Sequence, residues 1–165
     1  MNSVNSTSQN SPETIVFDLL YSQLPRYFSE SMQLDLNAKV SKLEQIGFET
    51  GYRLVERLTR DTPRFKSDLD VVKFICKEFW SVLFKKQVDN LRTNHQGVYV
   101  LQDSKFRFLS SMSASSQYMA STPCYLAFPC GLIRGALSNL GITSVVTAEV
   151  TDLPSCKFQI QAQAA

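Results

Sequence analysis

The sequence predicts a two-layer α+β domain in which helices are grouped with antiparallel hairpins. Three observations predict it. Apolar residues recur at helical spacing through much of the chain between residues 14 and 86. The period then switches to two in "VYVLQD" and again in "CKFQIQA". Tight-turn chemistry, Asn94 with Gly97 and later "DLPS", sits where the short strands must reverse.

The elements follow in order. Residues 1–12 are polar and low in hydrophobicity, so they are expected to be disordered, leaving one domain over 13–162. Thr14 can cap a first helix that carries Ile15, Val16, Leu19, Leu20 and Leu24 and ends near Pro25. A second helix is expected from about Asn37 to about Arg60, with Val40, Leu43, Leu54 and Leu58 on one stripe and Phe48, Tyr52 and Val55 on another. Gly47 and Gly51 fall in the first stripe, and each costs about 1 kcal/mol relative to Ala inside a helix. Glycines four apart clear side chains from a single face, so another helix backbone is expected to come close there.

Ser67 followed by Asp70 opens a third helix in the manner of a capping box. That helix, "SDLDVVKFICKEFWSVLFKK", is apolar nearly all round and belongs between layers or at an interface; Lys85 and Lys86 suit its C-terminal end. "VDNLRTN", "VYVLQD" and "KFRFL" read as strands. After a Ser-rich loop over 110–122, a helix in "CYLAFPCGLIRGALSNLG" is expected to start in earnest around Pro129 and stop at Gly141. "ITSVVTAEV" and "CKFQIQA" close the chain as a hairpin, the latter with Cys156, Phe158 and Ile160 inward and Lys157, Gln159 and Gln161 outward.

Composition narrows the chemistry. Apolar residues make up 44% of the chain, with 11 Phe, and 165 residues suffice for one domain with a real core. A net charge of +2 argues against a protein dominated by phosphate-backbone binding. Arg53, Glu56, Arg57, Arg60 and Asp61 mix signs as a solvated helix face does, so no nucleic-acid partner is expected. Between Phe108 and Ala148 the only charged residue is Arg134, so much of that segment is buried in the core or against partners.

No catalytic, metal or cofactor-binding residue can be assigned. Cys76, Cys124, Cys130 and Cys156 form no C-x-x-C pair and are expected to be buried, reduced thiols. His95, the single histidine, sits at a hairpin tip with no second histidine to complete a metal site or a triad, and reads as a turn residue. There is no GxGxxG and no phosphate-binding loop. The N-terminus lacks an apolar core of the secretory kind and no run is long enough to span a membrane, so a cytosolic protein is expected.

Several long strings, "KLEQIGFETGYRLVERLTRD", "DVVKFICKEFW", "KKQVDNLRTNHQGVYVLQDSKFRFL", "YLAFPCGLIRGALSNLG" and "VVTAEV…CKFQ", closely resemble the small subunit 6 family of the TRAPP (transport protein particle) complex. The resemblance runs in order from about Lys42 to about Gln161. It implies helices packed against one side of a twisted antiparallel sheet. It also implies a heterodimer with the palmitoylated TRAPP core small subunit through the N-terminal helices, further TRAPP subunits beyond it, and an indirect link to a Rab GTPase. The family's complex tethers vesicles and exchanges Rab guanine nucleotide in ER-to-Golgi and Golgi traffic, with catalysis on other subunits. A non-enzymatic structural subunit is therefore implied, cytoplasmic and peripheral at Golgi and ER membranes only through the complex.

If the first two helices form the dimer face, Leu20, Leu43, Gly47, Gly51, Leu54 and Leu58 would lie near it. The palmitoylated relative carries its cysteine shortly before the third helix, whereas this chain has no cysteine from Thr59 to Asp70, so a buried acyl chain is not implied. A competing reading, a small-molecule or acyl-binding module of related fold, rests on Cys76, Cys124 and Cys130 in apolar surroundings.

Overall fold

The computed structural model describes residues 12–30, 34–94, 96–110 and 116–163. The disorder expected upstream of residue 12, the turn role expected of His95, and residues 111–115 of the Ser-rich loop lie outside the described residues.

Helix α1 spans Pro12–Glu30, starting before Thr14 and running straight through Pro25 instead of ending there. Pro12 occupies a first-turn position, where its missing N–H costs nothing. An interior proline costs about 3 kcal/mol. Tyr21 and Phe28, one on either side of Pro25, are both buried. Keeping two large aromatic side chains buried, each worth about 1.5–3 kcal/mol, offsets the proline and holds the helix together. Helix α2, Leu36–Thr59, matches its expected span and is capped by Asp35, whose Oδ1 accepts from Ala38 N at 2.8 Å.

Helix α3, Asp68–Phe74, opens as its capping signal requires, with Asp70 N donating to Ser67 Oγ at 3.3 Å and Ser67 Oγ donating to Asp70 Oδ2 at 3.0 Å. The helical path then widens into a π turn, Ile75–Phe79, before continuing as α4, Trp80–Phe84. Widening the turn frees a main-chain carbonyl, and Cys76 O accepts from Val88 N at 2.9 Å in the connection that follows. Lys85, in the left-handed region at φ 59°, ends the element.

Four strands, β1 (Asn90–Thr93), β2 (Val98–Asp103), β3 (Ser144–Asp152) and β4 (Ser155–Ala162), form an antiparallel sheet in the order β1-β2-β4-β3. Asn94 builds the β1–β2 turn by accepting from Gln96 N at 2.9 Å and Val98 N at 3.1 Å, and Gly97 takes a φ of 82°. Leu101 faces Phe158 and Tyr99 faces Ile160 across β2 and β4, so the alternation read in both strands lands in register. Cys156, Phe158 and Ile160 point inward, as expected, and the Phe158 ring packs on Trp80 and Phe106.

"KFRFL" is not a strand. Phe106 follows β2 in the connecting turn, and Arg107–Ser110 forms a one-turn helix, α5. Phe106 O accepts from Leu109 N at 3.1 Å and from Ser110 N at 3.0 Å. Alternation in this short stretch is deceptive, because Leu109 is buried along with Phe106 and Phe108, and only a turn can point all three inward.

Helix α6 is also longer than its pattern suggests. It spans Ser116–Asn139 with Pro123 and Pro129 inside it, instead of starting near Pro129. From Leu126 to Ile133, in the middle of the helix, every residue is buried, so no amphipathic period marks that stretch. Its partner is α2. A Cβ on Gly47 would overlap Phe128 O, and one on Gly51 would overlap Leu132 O. Conversely, Gly131 lies against Glu44 O and Gly135 against Phe48 O. The two helices therefore cross backbone to backbone over these glycines. Arg134 closes one side of the crossing, with Nη2 at 3.2 Å from Glu44 Oε1 and its guanidinium 5.0 Å from the Phe48 ring centroid.

Candidate partner interface

Buried Tyr21 and Phe28, with Phe17 and Leu24 packed against the core, hold one side of α1 to the body of the domain. The Tyr21 ring stacks on Phe108 at 3.7 Å between centroids, and its hydroxyl donates to Tyr125 O at 2.6 Å. One turn earlier, Arg107 Nη2 and Nε donate to Asp18 Oδ2 at 2.7 and 3.2 Å. The one-turn helix α5 thus supplies both Phe108 and Arg107, and anchors α1 through a stack and an ion pair.

The opposite side of α1 is bare. Ile15, Val16, Leu19, Leu20 and Tyr27 are all exposed, Leu20 most of all at 64%. Residues 16, 19, 20 and 27 fall on one side of a helix by their three- and four-residue spacing. Leu36 at the start of α2 and Tyr52 farther along it are exposed as well. Single apolar side chains on a surface need no explanation, whereas a stripe of large ones is the kind of surface that partners cover.

The six residues drawn from the sequence do not share one surface. Leu20 presents its side chain to solvent, while Leu54 and Leu58 are half-buried against the core. Leu43 is fully buried, and Gly47 and Gly51 lie inside the α2–α6 crossing. The close helix expected at these glycines is present, but it is the chain's own α6 and not a second protein. Its mates, Gly131 and Gly135, repeat the four-residue spacing of Gly47 and Gly51, and that shared spacing was the available signal. Ile15, Val16, Leu19 and Tyr27 join Leu20 as the exposed large apolar residues of α1.

The remaining chemistry is quiet. All four cysteines are unpaired and buried. Burial pushes the Cys76 thiol up to about 12, burial and then Glu44 push Cys130 to about 12, and burial first and Asp103 next raise Cys156 further. Burial also raises Cys124. These thiols stay protonated at neutral pH and are poor nucleophiles. Among the described residues no group of three or more His, Cys, Asp or Glu could hold a metal ion, and no helix is long and apolar enough to cross a membrane. An open cleft of about 420 Å³ lies between the α2–α3 connection and the end of α6, with Arg64, Phe65, Lys66, Val71 and Leu140 in its wall and no cysteine.

Helices on one side of a four-stranded antiparallel sheet, with an exposed apolar stripe on the first helix, define a small α+β domain. The chain belongs to the TRAPP family: the model of the transport protein particle (TRAPP) component family matches residues 17–163. Its similarity is to subunit 6 within that family. It is 57% identical over 150 residues to trafficking protein particle complex subunit 6b of Danio rerio, covering 90% of this chain and 96% of that one. It is 59% identical over 135 residues to subunit 6B of Homo sapiens, covering 82% and 85%. The fold also matches the crystal structure of trafficking protein particle complex subunit 3 from Naegleria fowleri covalently bound to palmitic acid, with a TM-score of 0.73 over 91% of this chain and 96% of that one, at 16% identity.

Proposed function

We propose that this chain is a non-catalytic structural subunit of a TRAPP complex that heterodimerises with the TRAPP core small subunit through the bare face of α1. The exposed stripe of Ile15, Val16, Leu19, Leu20 and Tyr27 carries the reading, because no other group of described large apolar residues is so exposed on one element. Leu54 and Leu58 are half-buried against the core on α2, and Leu43, Gly47 and Gly51 support the face only by fixing α2 on α6. Through the heterodimer the chain joins further TRAPP subunits and acts in vesicle tethering and Rab guanine-nucleotide exchange. Catalysis falls to other subunits, and the chain reaches ER and Golgi membranes from the cytoplasm as part of the assembly. The competing acyl-binding reading has less support, since the buried thiols are protonated and none lines the open cleft.

Co-expression with the core small subunit tests the proposal. Val16→Asp with Leu20→Asp should abolish co-purification while circular dichroism and melting of the chain alone stay unchanged, because both side chains are already in water. Unchanged binding would remove α1 from the interface.

A further inference from the structure

The sheet's outer side holds a second feature, separate from α1. Helical aromatic side chains cover one side, and the alternate positions on the other remain exposed or half-buried. There a shallow cavity of about 140 Å³ is lined by Asn90 and Arg92 of β1, Val100 and Gln102 of β2, and Lys157 of β4. Arg92 and Lys157 make no ion pair or hydrogen bond with any described residue. Glu149 stands directly across from Lys157 in the β3–β4 register, yet it forms no ion pair with it.

The arrangement has a definite shape. Arg92 pairs with Val100, and Lys157 pairs with Gln102, so the two cations sit diagonally with β2 between them. Two strand spacings separate β1 from β4 by roughly 10 Å, a gap that two long side chains can close over a group held between them. The floor is a valine, and Asn90 and Gln102 add amide N–H donors at one end. The cavity is small and shallow, with room for the end of one side chain and not for a bulky cofactor.

We propose that this outer face docks an acidic segment of a second protein, seating an Asp or Glu carboxylate between Arg92 and Lys157 with an apolar neighbour on Val100. Charge complementarity chooses the occupant: Arg92 and Lys157 are unpaired, two amides add donors, and Glu149, the anion directly across from Lys157, makes no ion pair with it. An anionic membrane is the weaker fit, since lipid-binding patches draw on about four to eight clustered cations. The site goes beyond the α1 reading and does not depend on it, because it lies on the sheet and binds without the core subunit.

The test uses the full chain, isotopically labelled, titrated at low salt with a short synthetic peptide of alternating glutamate and valine. Amide shifts should move at Arg92, Val100, Gln102 and Lys157, and Arg92→Glu with Lys157→Glu should weaken binding by about ten-fold or more. Lys73→Glu with Lys77→Glu, exposed on α3 and the π turn, makes the same change in net charge and should leave binding intact. Equal loss in both double variants, shifts confined to other elements, or no binding would overturn the proposal. So would adsorption to phosphatidylserine vesicles that depends on Arg92 and Lys157 while the peptide fails to bind.

Discussion

Gly47 on α2 lies against the carbonyl oxygen of Phe128 on α6 so closely that a Cβ at position 47 would overlap that oxygen. Gly51 meets Leu132 O in the same way. An added side chain therefore pushes on main chain, which cannot swing aside as a flexible side chain can. Overpacking costs about 1–3 kcal/mol at an ordinary core position, and these two sites should reach the upper end. Gly47→Leu with Gly51→Leu should consequently unfold the chain or leave it near its denaturation midpoint, given a total stability of about 5–15 kcal/mol. Urea denaturation followed by circular dichroism reads the outcome. A mutant as stable as wild type would mean that α2 and α6 do not cross at these residues.

Tyr21→Ala should act locally. The tyrosine carries the Phe108 stack and the hydrogen bond to Tyr125 O, beside the Asp18–Arg107 pair and the buried Phe28. Removing a buried aromatic side chain costs about 3–5 kcal/mol, more than a peripheral helix of this kind can spare. Hydrogen exchange should rise throughout α1 while β2, β4 and α6 keep their protection. Uniform loss of protection would instead make α1 part of one cooperative unit with the core.

Asp103→Ala should be globally destabilising. This buried carboxylate accepts from Trp80 Nε1 at 3.0 Å, Lys86 Nζ at 2.6 Å and Lys105 N at 3.0 Å, tying α4 and the strand connections together. Removing one member of a buried pair costs about 3–5 kcal/mol because its partners are left without an acceptor. Lys86→Met should cost less, since the lysine is 27% exposed and Asp103 keeps two donors. Equal losses in the two variants would contradict this ranking.

The buried thiols set an alkaline limit. Cys76 and Cys130 are pushed up to about 12 in the fold, against about 8.5 in the unfolded chain. The folded state therefore holds these protons longer, and their contribution is complete below pH of about 8.5 and lost as pH rises toward 12. Stability should fall with pH across that window, and the slope should be shallower in Cys130→Ala. Parallel slopes in wild type and variant would show that Cys130 is not protected by the core. Alkylation of native protein at pH 8 should be slow at all four cysteines and fast after denaturation.

Features encoded within a few residues could be read directly from the chain. Ser67 with Asp70, the Asn94–Gly97 turn, the alternation of Cys156, Phe158 and Ile160, and the long strings between Lys42 and Gln161 determined caps, hairpins, the sheet's inner face and the family. The apolar residues of α1 were legible as a helical pattern, but which of them stay exposed was not. That depends on Tyr21 and Asp18 turning the helix toward Phe108 and Arg107, which lie some ninety residues away. The tertiary structure alone decided that Pro25, Pro123 and Pro129 lie inside helices, that Phe106 to Leu109 turn inward together, and that Gly47 and Gly51 face Phe128 and Leu132. Capping and alternation arise from hydrogen bonds and side-chain directions between near neighbours. A proline's tolerance and a glycine's purpose are settled by whatever long-range packing brings against them.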